Sequence, residues 1–494
     1  MIHTHLIILQ VVIPLLAAPM CVLTTRSGFA WALATFVGFI TLAISIALLV
    51  IVWNQGPLSY AFGGWAAPWG IEYYVDALNV VVLFIIAAVN AIALLFARDS
   101  VKKEVESDRI YLFYTAWLLC VTGLLGITIT GDAFNLFVFL EISSLSTYVL
   151  VSLGRSKHAL LASFRYLVIG TIGATFILIA VGLLYMMTGT LNMRDLSERL
   201  PDMAHTRTIK VAFAFFIIGI AVKMALFPLH VWLPNAYTYA PTAATILLAA
   251  TATKAAVYIL LRIVFGVFGL DFVTDVMRFD VLLIPLALIA VFSGSVVAVY
   301  QDDVKRLLAY SSVAQIGYMV IGAGFATVLG ITAALTHVFN HALMKGALFM
   351  AVGCVIYRTG GAALENFRGL GKSMPLTMAA FVASGLSLIG VPLTAGFVSK
   401  WYLVLAALEN NAWFVAALIV IGSLIALVYI WRVVEAAYFL PATGKNANVT
   451  EAPLALLLPT WLFVLANFYF GIHAALPVGV ATRAAHILLP GSVQ

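Results

Sequence analysis

Seven side chains able to take up or give up a proton lie inside runs otherwise apolar enough to cross a bilayer: Glu141, Lys223, Lys254, His337, His341, Lys345 and Lys400. Glu141 is the deepest carboxylate. In TGDAFNLFVFLEISSLSTYVLVS, residues 130–152, a helical rise of about 1.5 Å per residue puts it about 14 Å in from Asp132, near the centre of a hydrocarbon core roughly 30 Å thick. A carboxylate at that depth is costly unless paired or hydrated, and ionisable groups inside a membrane mark ion or proton routes. The competing reading is a protonated Glu held silently between two helices.

Lys223 lies about fourteen residues into its run and Lys254 about eleven into the next, too deep for either to reach an interface by stretching. Arg165 and Arg262 stand nearer the ends of theirs and are expected to snorkel. At about 4 Å and an effective dielectric near 20, a Glu–Lys attraction is about 4 kcal/mol, enough to change a lysine's proton affinity roughly a thousandfold. A lysine that alternately gains and loses a carboxylate neighbour therefore loads and releases a proton. A static ion pair is the alternative for any one lysine. It fails for Lys223, Lys254, Lys345 and Lys400 together, because only Glu141 is central enough to pair with them.

His337, His341 and Lys345 recur every four residues in THVFNHALMKG and form a slowly drifting stripe on one helix face. Imidazole titrates near neutral pH and passes protons through its two nitrogens. Two core histidines merely bonded between helices would give the same spacing. So would a metal site, but no Glu accompanies them in a His-Glu-x-x-His arrangement, so neither metal nor cofactor is expected. Two breaks flank the deep lysines. Pro228, Pro234 and Pro241 follow Lys223, while Gly390, Pro392 and Gly396 precede Lys400. Proline removes a backbone donor and opens the helix, so Pro228 and Pro392 mark discontinuous helices, the usual setting of a transporter's ion site.

The elements that must position these residues are membrane spans. The 494 residues are 64% hydrophobic and 9% charged, with a mean hydropathy of +1.10, which excludes a soluble class. Apolar runs predict an all-α polytopic membrane protein of about fourteen spans, near 5–24, 29–53, 76–97, 110–129, 132–152, 160–187, 209–238, 243–266, 280–301, 305–327, 329–356, 375–407, 411–438 and 452–476. With the amino terminus outside, fourteen loop or span-end Lys and Arg fall inside, Lys305 and Lys445 among them, against six outside. That bias predicts both termini outside and a place in the cell's inner, cytoplasmic membrane. Loop 98–109 mixes both charge signs and reads as a solvated inner turn; loop 54–75 has no Lys or Arg and reads as an outer loop at an aromatic belt. The net charge of +6 reflects cytoplasmic anchoring rather than nucleic-acid binding. Cys21, Cys120 and Cys354 are far apart and form no Cys-x-x-Cys pair, so electron chemistry is expected on another chain.

With these residues in place, the chain resembles the antiporter-like subunits shared by Mrp-type multisubunit cation/proton antiporters, respiratory complex I and membrane-bound hydrogenases. The likeness rests on GDAFNLFVFLEISSLSTYVLVSLG, VKMALFPLHVWLPNAYTYAPT, DDVKRLLAYSSVAQIGYM and HVFNHALMKGALF, in that order, and spans residues 70–440. It implies a single membrane domain with two inverted five-helix repeats, 110–266 (spans 4–8) and 280–438 (spans 9–13), and broken spans 7 and 12. It also implies a proton path through Glu141, Lys223, Lys254, His337, His341, Lys345 and Lys400. Some complex I members carry glutamate where this chain has Lys400, which favours the Mrp D subunit. The implied function is proton translocation within a hetero-oligomeric Na+/H+ antiporter, with no enzymatic activity of its own. The implied partners are other membrane subunits and the lipid bilayer, and sodium is left to a neighbouring chain. The alternative is a pumping subunit of a quinone- or hydrogen-linked oxidoreductase.

Overall fold

The computed structural model describes residues 2–442 and 448–489; Lys445, one of the inner charges, lies outside the described residues. Twelve helices among them are long and apolar enough to cross a membrane. They correspond in order to expected spans 1–6, 8–11, 13 and 14, from Ile2–Thr24 to Leu454–Ile472. The remaining two, 7 and 12, are built differently. Span 7 is Arg207–Met224 followed by Trp232–Tyr239, and span 12 is Pro375–Ile389 followed by Ala395–Glu409.

Each break starts upstream of its proline. Arg207–Met224 stops because Ala225 turns left-handed (φ 59°), and Pro228 sits in the turn that follows. Pro375–Ile389 stops at Gly390 (φ 94°), where a residue without Cβ meets least resistance. A broken helix leaves orphan carbonyls. The Trp232 indole donates to the Val222 carbonyl at 2.9 Å, closing the gap in span 7 from its far side.

Burial sorts the spans. In spans 8 (Thr242–Phe268), 10 (Val304–Gly324) and 11 (Val328–Thr359), 94%, 94% and 89% of the apolar window is enclosed by protein, so these three form the centre. Spans 6, 9 and 13 are only 39%, 39% and 33% enclosed and turn most of their apolar surface outward. Close approach at the rim depends on small residues: a Cβ on Gly219 would lie 2.6 Å from the Gly173 carbonyl of span 6.

One backbone pattern occurs twice. Asp132 caps span 5 (Ala133–Ser152) by accepting the Asn135 N–H, and its backbone bridges to Asn192, with Ala133 N–H on the Leu191 carbonyl and Met193 N–H on the Gly131 carbonyl. Asp303 caps span 10 by accepting the Arg306 N–H and bridges to Ala363, with Val304 N–H on the Ala362 carbonyl and Leu364 N–H on the Asp302 carbonyl. The same knot ties the start of a span to the chain sixty residues later in both halves.

The readings of loop 98–109 and of Lys305 need correction, and two further elements join the spans. Loop 98–109 is largely helical, since span 3 continues as Ala77–Glu104. Loop 54–75 contains an antiparallel hairpin, Leu58–Ala61 with Glu72–Val75. The chain after span 14 forms a further helix, Ala475–Leu488. Lys305 is no exposed anchor: it is buried, and its ammonium donates to the Ala240 carbonyl at 2.7 Å.

Arg262 does not snorkel either. Its guanidinium grips both Asp76 carboxylate oxygens at 2.8 Å and contacts the Tyr258 hydroxyl at 3.3 Å, while Asp76 also caps span 3. The charge is paired in place instead of extended to water. Only Arg165 stays exposed on the outward side of span 6. Removing one partner from such an enclosed bidentate pair leaves the other unpaired, so Arg262→Met is expected to destabilise the chain by about 3 kcal/mol. Thermal unfolding in mild detergent checks this; an unchanged melting temperature would mean the pair does not join spans 3 and 8.

Candidate functional site

The first half of the site is an ion pair. Span 5 places Glu141 two turns inside the membrane from its capped end, and Lys223 arrives on the last turn of the first half of span 7. The Lys223 ammonium donates to Glu141 Oε1 at 3.3 Å and to the Ser144 hydroxyl at 2.8 Å. Both side chains are largely withdrawn from the surface, 7% exposed for Lys223 and 21% for Glu141. Tyr166 and Trp232 stack at 3.9 Å behind the pair. Lys223, Ser143, Ser144, Thr147 and Tyr166 line a cavity of ≈ 30 Å³ whose opposite wall is Ala252, Ala255 and Ala256 of span 8. That is room for a water molecule among polar groups, against the span that carries Lys254, although Lys254 is not in the cavity's lining.

Lys254 is fully enclosed and, among the described residues, has no carboxylate partner. Its ammonium donates to the Ala249 carbonyl and reaches the Thr253 hydroxyl at 3.4 Å. Residues Leu248–Ala252 wind as a π-helix, so the Ala249 carbonyl that receives the ammonium lies in a locally widened turn.

The second half of the site lies between spans 10, 11 and 12. Lys345 donates to the Leu308 carbonyl at 2.7 Å and to the Ser311 hydroxyl. His337 is held at both nitrogens, Nδ1 by Ser399 Oγ at 2.8 Å and Nε2 by Gln315 Oε1 at 3.0 Å, so it joins span 10 to span 12. The His341 ring stacks near-parallel to it with centroids 6.0 Å apart. Among the described residues His341 has no hydrogen-bond partner at either nitrogen, though completely buried; Thr336 Oγ1 and Asn340 Oδ1 on the same helix are likewise unpartnered there. Buried polar atoms of this kind are costly when dry, and a row of them suits a hydrated file. Lys345 stands one turn beyond His341 on the same helix.

Lys400 closes the row. Its ammonium donates to the Leu388 and Ile389 carbonyls, both at 3.0 Å, and stands 4.8 Å from the centre of the Tyr318 ring. The carbonyls orphaned where span 12 breaks are thus taken by the lysine that the second half of the span carries.

Of the seven residues singled out by type and depth, Glu141 and Lys223 are in direct contact, and the other five line the enclosed contacts between spans 8, 10, 11 and 12. Ser144, Gln315, Ser399 and the π-turn before Lys254 were missed. Gln315 and Ser311 stand four residues apart on span 10, a polar stripe open to the same reasoning as the His337 stripe.

Fold and site together define a multi-pass helical membrane protein with a row of titratable side chains buried across its middle. Its sequence matches the profile of the NADH:quinone oxidoreductase/Mrp antiporter transmembrane family over residues 130–426, and the chain belongs to that family. It is 43% identical over 455 residues to the N subunit of the NADH-quinone oxidoreductase of Desulforudis audaxviator, covering 91% of this chain and 90% of the relative. It is 33% identical over 480 residues to the D subunit of the Na(+)/H(+) antiporter of Alkalihalophilus pseudofirmus, covering 95% and 94%. Among solved structures, a chain of the Mrp complex from Dietzia sp. DQ12-45-1b superposes with a TM-score of 0.90 at 25% identity, covering 100% of this chain and 98% of that one. Both branches expected from the sequence motifs are therefore represented.

Proposed function

We propose that this chain is the proton-translocating subunit of a multisubunit cation/proton antiporter of Mrp type, in the D position, and that Glu141, Lys223, Lys254, His337, His341, Lys345 and Lys400 carry protons along the membrane midplane. The observation that carries the reading is the supply of partners: the deep lysines outnumber the central carboxylate, and among the described residues only Lys223 has it, at 3.3 Å. A proton arriving at Glu141 neutralises it and loosens its hold on Lys223. Lys223 then hands a proton to the small cavity against span 8, the span that carries Lys254. His341, with neither nitrogen hydrogen-bonded among the described residues, accepts from Lys345 one turn along the same helix, and His337, stacked on it, holds Ser399 of the helix that carries Lys400.

The recurring knot at Asp132 and Asp303 and the two broken spans support two five-helix units, 110–266 and 280–438, each with its own break. The charge bias supports the inner, cytoplasmic membrane with both termini outside. Other membrane subunits are the partners, as the name of the Dietzia complex suggests. Sodium exchange falls to a neighbouring chain, because a hard cation needs several oxygen ligands and Glu141 is the one central carboxylate here. Changing Lys223→Ala and Lys400→Ala together is expected to stop ΔpH-driven transport in everted vesicles while the complex still assembles. Unaltered transport would make this a structural subunit with a dead channel.

A second reading, a pumping subunit of a redox-driven complex, is favoured by the 43% identity to a protein named as a quinone oxidoreductase subunit. Purification in mild detergent and identification of co-migrating chains decides between them. Small membrane subunits support the antiporter; iron–sulfur or hydrogenase subunits support the redox complex.

A further inference from the structure

Two apolar cavities on the side of the bundle away from Glu141 join end to end. The first, ≈ 310 Å³, lies between the end of span 2, the start of span 3 and the helix Ala475–Leu488, with Trp53, Asn54, Val81 and Val480 in its wall. The second, ≈ 150 Å³, continues between spans 3, 11 and 14, as far as Ile92, Leu343 and Ala466. Phe84, Phe339 and Phe470 belong to both walls, so the two form one groove.

Three observations define its occupant. Along span 3 the groove runs from Val81 to Ile92, ~16 Å at the helical rise, which is the depth of one leaflet of a core roughly 30 Å thick. The groove is a long, narrow slot that one extended hydrocarbon chain can follow along span 3. Polarity is confined to one end. There Asn54 faces the groove, and Arg483, one turn beyond Val480, rests on the Trp53 ring at 5.1 Å with one N–H on the Trp53 carbonyl at 2.8 Å, leaving the rest of its exposed guanidinium for an anion. An indole and an arginine at the surface end of an apolar slot match the headgroup level of a bilayer, and guanidinium binds phosphate bidentately.

We infer that this groove is a binding site for a phospholipid: one acyl chain fills the slot between spans 3, 11 and 14, and the phosphate is held by Arg483. The chain packs on Phe339, Ala342 and Leu343, the side of span 11 that faces away from Lys345 and its partners on span 10. It excludes water there and leaves hydration to the polar side of the same helix. This inference does not depend on which ion or redox partner the complex uses.

The test is photolabelling of the complex in its membrane with phosphatidylglycerol carrying a diazirine deep in one acyl chain. Labelled peptides are expected to include the segments around Phe84, Leu343 and Ala466. Filling the deeper cavity with Ala88→Trp and Ala466→Trp together is expected to remove that labelling. Arg483→Glu, a surface change that leaves the slot open, is expected to reduce it about tenfold by losing one charge-assisted contact. Labelling unchanged in both variants would overturn the proposal. So would a disulfide between Ala88→Cys and a cysteine on another membrane subunit, which would show that a protein segment occupies the groove.

Discussion

Glutamine in place of Glu141 is expected to abolish ΔpH-driven transport in everted vesicles, by about a hundredfold or more, while the chain still assembles with its partners. The substitution keeps the shape of the side chain and an oxygen able to accept from Lys223. Ser144 remains at 2.8 Å from the same ammonium, so the packing of spans 5 and 7 has little reason to change. What disappears is the charge. At the observed 3.3 Å the attraction is about 5 kcal/mol at an effective dielectric near 20, and that is the difference between a lysine that keeps its proton and one that passes it on. A protonated, purely structural Glu141 predicts the opposite, because glutamine imitates it well. Full activity in Glu141→Gln would therefore remove the entry point of the proposed path.

Gly396→Ala should be as damaging for a different reason. A Cβ at Gly396 would overlap the Ser387 carbonyl oxygen and stand 2.8 Å from its carbon, backbone atoms of the other half of the same broken span. Neither can yield without moving a helix. The Gly396 N–H also donates to the Ser387 hydroxyl at 3.2 Å, and Ser387 in turn donates to Asn467 of span 14 at 2.9 Å, so the displacement spreads. Lys400, one turn on, would lose its grip on the Leu388 and Ile389 carbonyls and leave them buried without a donor. We expect a loss of about 3 kcal/mol or more and little assembled complex, measured as the yield of the chain in the detergent-extracted assembly. Wild-type yield and transport in Gly396→Ala would mean that the break in span 12 is looser than this geometry.

Much of this was legible in the sequence because membrane spans are read by length. A helix that satisfies its own backbone needs about twenty apolar residues, and runs of that kind located every long helix of the bundle. The depth of Glu141 and Lys223 followed from the rise per residue, and their contact agrees with it. The breaks were legible only through proline, which marks a neighbourhood; the turns themselves begin at Ala225 and Gly390, where the backbone goes left-handed. Pairing was the weak point. Arg262 and Asp76 are 186 positions apart, and nothing local to Arg262 distinguishes a snorkelling side chain from one that a distant carboxylate will claim. The hydrogen bonds of Lys254 and Lys400 to backbone carbonyls were hidden for a related reason. They depend on where a helix loosens, at a π-turn or a break, and a carbonyl looks the same in every residue.

The most direct measurement is proton flux in proteoliposomes containing the purified complex, with Lys223, Lys254, Lys345 and Lys400 changed one at a time to arginine. Arginine keeps the positive charge and the donors that hold the lysine's partners, but it does not give up its proton. If these side chains relay protons, each variant assembles and flux stops. If they serve only to hold helices together by charge, all four variants assemble and carry flux at the wild-type rate, which would contradict the account.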